Sequence, residues 1–378
     1  MTPTIWRLFI CAPRRVAGSS LLLRNSTYST LVLDKFIMTK VIITGGAGFI
    51  GCNYAAHLLQ SGHEVTILDD LSRRGATSNL EWLGKRFDRG FAFVRADVRD
   101  ADALLLAIEG QDAVVHLAAQ VAVTSSVTNP RDDFEINALG TFNVLEGARL
   151  SRSQPLVIYA STNKVYGGME QVRVVESDTR WEYADLPFGL PETQPLDFHS
   201  PYGCSKGAGD QYVRDYGRIY GLSTVVFRQS CVYGPRQFGI EDQGWLAHFV
   251  IAALNGHSIK IYGDGKQVRD MLWVEDLLVA FDIALDHPDK VAGKVYNIGG
   301  GPDFTLAIWQ EVQPSLSELA GRELEVVYYD WRPGDQKVYI SDIRAAKKLG
   351  WQPTVDPSTG LRLLWQWVNE NADLFADL

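Results

Sequence analysis

Lys40-Val41-Ile42-Ile43-Thr44-Gly45-Gly46-Ala47-Gly48-Phe49-Ile50-Gly51 is the stretch that decides the fold. Residues 41–44 are all β-branched, which favours an extended strand. Four such residues without polar alternation imply burial on both faces, as in a parallel sheet. The glycines then recur as Gly45-x-x-Gly48-x-x-Gly51. Glycine is needed where a turn is tight and where backbone must approach a pyrophosphate, which would sit at the following helix N-terminus. Phe49 and Ile50 open a helical pattern over residues 49–60 that Gly62 stops. A glycine triplet alone is weak evidence; its position between strand and helix strengthens it.

Working outward, residues 64–68 predict a second strand, and Asp69 ends it 18 residues after Gly51. A carboxylate there can accept both hydroxyls of an adenosine ribose and would repel a 2′-phosphate, so NAD is favoured over NADP. Arg73 and Arg74, close by, keep the phosphorylated cofactor open as a reading. Further short apolar runs at 91–95, 113–117, 155–160 and 223–228 alternate with helical patterns. The expected fold class is therefore α/β, a doubly wound parallel (Rossmann) sheet covered on both faces. Residues 39–232 would form the NAD-binding domain. After Val232 the alternation weakens, and residues 233–378 are expected to form a smaller α/β substrate domain, with the chain free to cross between the two. Asp97 and Val98 after strand three, and Ala118 after strand four, belong at the carboxyl edge where such sheets bind ligands. His116 alone reads more naturally as a satisfied core histidine.

The bulk numbers suit an ordinary globular protein: 378 residues, 46% apolar and 21% charged. A net charge of −9 argues against nucleic acid or an anionic membrane as partner, and no apolar run reaches membrane-spanning length. Cys11, Cys52, Cys204 and Cys231 show neither metal-ligand spacing nor disulfide density, so no metal is expected and the thiols read as cytoplasmic. Residues 1–38 carry Arg7, Arg14, Arg15 and Arg24 with one acid, Asp34. They read as an extension outside the domain, either a targeting segment or the product of an upstream start before Met38.

Tyr202-Gly203-Cys204-Ser205-Lys206 places a phenol and an ammonium four residues apart, on one face of a helix that Pro201 would start. The lysine charge, together with the positive nicotinamide, should lower the tyrosine from its usual pKa of about 10. The phenolate could then take a hydroxyl proton while the carbon's hydride leaves to NAD. Tyr-x-x-x-Lys occurs often by chance. Here Thr162 ends strand five with a hydroxyl suited to the reacting oxygen, and Ser161 beside it reads as structural.

With those elements in order, the chain from Thr39 onward resembles the extended short-chain dehydrogenases/reductases that modify nucleotide sugars. Thr44–Gly51, Val165-Tyr166-Gly167, Val232-Tyr233-Gly234-Pro235 and Arg332-Pro333-Gly334-Asp335 carry the likeness. Ser161–Gly167, Leu196–Gly207, Asp242-Gln243-Gly244-Trp245 and Gly265–Asp270 are similar to a narrower branch, the epimerases that act at C2 of a CDP-linked 3,6-dideoxy sugar. The resemblance implies Thr162, Tyr202 and Lys206 as catalytic residues and a nucleotide-sugar substrate. It implies substrate contacts from Asn163, Arg236, Arg269 and Arg332, since an arginine fork suits phosphate. The family's 4,6-dehydratases carry acids just after the catalytic Thr, where Asn163 and Lys164 stand here, so dehydration is not expected. A UDP-sugar 4-epimerase and a non-catalytic NAD-binding protein remain as alternative readings. Helices around 134–149 and 209–219 resemble the family's dimer pair and imply a homodimer. Residues 168–199 form a long insertion that reads equally as a lid or as a solvated flap.

Overall fold

The computed structural model describes residues 38–376, except Arg89, Pro333 and Gly334. The expected extension therefore lies, but for Met38, outside the described residues, as do two positions of the Arg332–Asp335 motif. Seven parallel strands form the central sheet. They are β1 (Lys40–Thr44), β2 (Glu64–Leu68), β3 (Ala92–Val94), β4 (Ala113–His116), β5 (Leu156–Thr162), β6 (Thr224–Gln229) and β7 (Lys294–Ile298). Their order is β7-β6-β5-β4-β1-β2-β3, and every neighbouring pair is parallel. The order reverses between β1 and β4, so the connections from β1 and β4 diverge to opposite sides and leave a crevice at their carboxyl ends.

Helices cover both faces because the strands are apolar on both. On one side Phe49–Gln60 and Val274–Asp286 pack Tyr54, Leu58, Leu277 and Phe281 against Val41, Ile43, Val225 and Phe227. On the other, Ala101–Ile108, Gly140–Leu150 and Ser200–Tyr220 bring Leu104, Leu145 and Val213 onto Ile42, Val114, Val157 and Val226. No described helix is long and apolar enough to cross a membrane.

Past β6 the chain leaves the sheet, as the weakening alternation after Val232 implies, and builds smaller ones. Val268–Trp273 is their hub, parallel to Cys231–Tyr233 and Val338–Tyr339 and antiparallel to Thr305–Ala307. The chain then returns as β7, so residues after 232 contribute the edge strand of the first sheet. The insertion at 168–199 carries a hairpin of its own. Its hairpin, Val174–Glu176 with Trp181–Tyr183, is docked on the hub. The Trp181 amide donates to the Lys266 carbonyl at 3.0 Å, its indole to Asp264 at 2.8 Å, and Tyr183 to the Val338 carbonyl at 3.1 Å.

Candidate active site

The carboxyl edge of the sheet opens into a cleft of about 600 Å³, within the size range of cofactor and ligand sites. Gly45, Gly48, Phe49, Ile50, Gly51, Asp69, Asp97, Val98 and Ala118 all line it, as do Thr162, Asn163, Tyr202, Lys206 and Arg236. Residues expected from separate motifs thus share one continuous space.

At its cofactor end two glycines are fixed by sterics. Gly45 has φ +70°, and a Cβ there would lie 2.7 Å from the Ala118 amide nitrogen. A Cβ on Gly51 would lie 2.3 Å from the Gly45 carbonyl oxygen. Side chains at either position would close the turn that leaves backbone free to approach a pyrophosphate. Asp69 is buried at the end of β2 and receives the amides of Ala47 at 3.0 Å and Leu71 at 2.8 Å. Burial raises its pKa, against those two hydrogen bonds. Its placement beside the glycine turn fits an adenosine ribose. The Arg73 guanidinium meets Gln243 Oε1 at 2.6 Å, and its charge still acts on Asp69. Asp97 is engaged by Arg99, which lowers its pKa. His116 is a core histidine, bound to Thr44 at 2.7 Å and Thr141 at 3.0 Å, and burial pushes it down to about 3.

At the other end Thr162 finishes β5, and its hydroxyl accepts the Lys164 amide at 3.2 Å, capping the short turn Asn163–Tyr166. Tyr202 and Lys206 come from the first turns of helix Ser200–Tyr220, where Pro201 supplies a preset φ. The expectation that Lys206 lowers the Tyr202 phenol does not hold among the protein's own groups. Burial pushes Tyr202 up to about 12; the Thr162 hydrogen bond and Arg73 act against it, and Asp133 with it. Lys206 instead donates to the Ala160 carbonyl at 2.7 Å and lies 4.3 Å over the Tyr159 ring. Burial lowers it to about 7, opposed by Asp210 and Asp133.

Two buried networks behind these residues were not legible in the sequence. Ser161, read as structural, donates to Asp210 at 2.8 Å, and Arg228 clamps the same carboxylate at 2.8 and 2.9 Å. Arg228 also donates to Tyr166, which donates to Asn297 of β7. On the opposite side Ser205 donates to Asp133, and Asn137 donates to Asp133 and the Gln120 carbonyl. Asn137 lies in a π-turn, Glu135–Leu139, whose irregular period no apolar pattern announces.

The expected arginines diverge. Arg236 sits at φ +69° with its guanidinium 4.4 Å over Trp82 and 5.6 Å over Trp367. Arg269 is buried on the hub strand and donates to the Val268 carbonyl at 2.8 Å. Arg332 stacks 3.8 Å over Tyr262 and pairs with Asp242 at 3.1 Å, the latter a lining residue. Neither Arg269 nor Arg332 lines the cleft itself.

A parallel sheet with a glycine turn, a ribose acid and a Thr-Tyr-Lys set defines a nucleotide-dependent oxidoreductive fold. The family model described as the NAD dependent epimerase/dehydratase family matches residues 41–299, and the chain belongs to that family. It is an NAD-dependent enzyme, a nucleotide-sugar epimerase. The chain is 43% identical over 338 residues to CDP-paratose 2-epimerase of Salmonella typhi, covering 87% of this chain and 99% of that protein. Among solved structures, UDP-glucose 4-epimerase of Thermotoga maritima with UDP-glucose superposes at TM-score 0.76, with 31% identity over 88% of this chain and 99% of that one. UDP-glucose 4-epimerase of Thermus thermophilus in complex with NAD gives 0.73, with 33% identity over 87% and 99%.

Proposed function

We propose that this enzyme inverts C2 of a CDP-linked 3,6-dideoxy sugar, interconverting CDP-paratose and CDP-tyvelose. The observation that carries the reading is the 43% identity, along nearly the whole length of the relative, to an epimerase of that specificity. The site supports it in two respects. Thr162, Tyr202 and Lys206 share the cleft, and the turn after Thr162 presents an amide and an ammonium where elimination of water would need acids.

When bound along Gly45–Gly51 and Asp69, NAD supplies the hydride acceptor and a positive charge near the phenol. Tyr202 takes the proton of the C2 hydroxyl and later returns it to the oxygen once the opposite face is presented. Thr162 hydrogen-bonds the reacting oxygen. Lys206, held on the Ala160 carbonyl one turn along the helix from Tyr202, supplies the cation that the phenolate and the nicotinamide ribose would share. In this proposal Arg269 and Arg332 leave the Val268 carbonyl and the Tyr262 ring to hold the nucleotide side while the sugar turns. Asn163 and Arg236 line the same cleft and complete the substrate contacts.

A substrate deuterated at C2 and run in ordinary water tests the chemistry. Retention of deuterium at C2 of the product is expected; washout into solvent overturns the redox route. A UDP-sugar turned over in preference to CDP-paratose overturns the substrate assignment.

The working form in this proposal is a cytoplasmic homodimer. Phe134, Leu139 and Phe142 stand exposed near Tyr212, Ile219 and Tyr220, a run of large apolar side chains across two neighbouring helices. Light scattering should give twice the chain mass; a monomer at working concentration refutes it.

A further inference from the structure

Among the cleft-lining charges the mechanism leaves unused is Lys164. Lys164 follows Thr162 by two residues, and its backbone is pinned by the bond from its amide to the Thr162 hydroxyl. Its side chain lines the cleft together with Thr162, Cys231 and Trp245. Among the described residues its ammonium has no hydrogen-bond acceptor and no ion pair. The charges that act on it are Arg269, which repels it, and Asp335 and Cys231, which favour its charged form. Desolvation pulls its pKa down to about 8, and Asp335 works against that. Arg269 thus adds a second cation beside Lys164, in a chain whose net charge is −9. Lys164 is half-buried, and a charge so placed without a partner is one that a ligand anion in the cleft can offset.

The position selects which anion. Thr162 marks where the reacting oxygen sits, and Lys164 enters the same cleft from the same turn, which fits a group attached close to the reacting carbon. In chemistry at C2 the neighbouring carbon, C1, carries the diphosphate. In chemistry at C4 the diphosphate lies across the ring. A cation adjoining Thr162 therefore matches the first case. We propose that Lys164 grips the phosphate joined to the sugar, and that its place beside Thr162 directs the reaction to C2. The inference rests on the C2 reading above, and it adds a specificity residue to it.

Binding of CDP and CMP to the NAD-loaded enzyme tests this by calorimetry, because CDP carries the phosphate in question and CMP lacks it. The wild type should prefer CDP. Lys164→Met should cut that preference about tenfold or more while CMP affinity and NAD affinity stay as they are, and Lys164→Arg should keep most of it. A merely structural lysine would move both nucleotides together. Lys164→Gln serves as a second, polar variant if the methionine chain does not fold. Preference for CDP undiminished in the variant, or none in the wild type, overturns the proposal. If the wild type binds UDP more tightly than CDP, the base assignment fails instead, and UDP with UMP completes the same cycle on Lys164. The deuterium experiment reports on C2 independently.

Discussion

Removing Arg228 should expose how much of the catalytic wall depends on one buried ion pair. Arg228 and Asp210 are 2% and 0% exposed at their side chains. Nε and Nη2 of the guanidinium reach the two carboxylate oxygens at 2.8 and 2.9 Å, a bidentate pair. Arg228→Met keeps much of the apolar stem but leaves Asp210 with only neutral donors, from Ser161 and Gln211. Stranding a buried charge in this way costs about 3–5 kcal/mol. The second variant, Arg228→Met with Asp210→Leu, removes the stranded charge as well. It should recover about half of the loss, since Ser161 and Tyr166 are then left short of partners at about 1–3 kcal/mol each. Urea unfolding followed by tryptophan fluorescence measures both, at one fixed NAD concentration because bound ligand adds stability. A loss below about 1 kcal/mol, or a double variant no better than the single, would refute the idea that this pair holds β5, β6 and the catalytic helix together.

Asp69→Ala should weaken NAD about tenfold or more and narrow the discrimination against NADP, read by titration with each cofactor; undiminished exclusion of NADP would remove Asp69 from the ribose. Tyr202→Phe should bind NAD like the wild type and lose at least about a hundredfold in turnover, because only the proton acceptor is gone. The pKa of His57 is raised, chiefly by its hydrogen bond to Asp282 at 2.6 Å. Its contribution to stability is therefore complete below the unfolded value of about 6.5 and is lost as pH rises through the higher folded value. His57→Gln should flatten that part of the melting-temperature profile, and an unchanged profile would dissociate His57 from it.

What the sequence determines by itself is local. Residues 41–44 are β-branched and apolar, glycine recurs at 45, 48 and 51, and the helix expected over 49–60 is the one observed, because each depends on sterics and periodicity within a dozen residues. Strand two is seen at its expected bounds, and Tyr202 and Lys206 do share a helix face for the same reason. Edge strand β7 was not legible: its pairing with β6 joins segments with much of a smaller sheet system between them in the chain. The insertion's aromatic residues leave lid and flap equally open in the sequence; Trp181 and Tyr183 find partners on Asp264 and Val338, far along the chain. Electrostatics depends on tertiary structure most of all. Proximity in sequence implies that Lys206 acidifies Tyr202, whereas burial raises the one and lowers the other. Arg332 reads as a phosphate or ribose contact and Arg236 as facing the ligand; only the tertiary structure shows their guanidiniums lying over Tyr262 and Trp82. Residue type establishes which chemistry is available; desolvation and long-range contacts decide the charge each group carries and the direction in which it points.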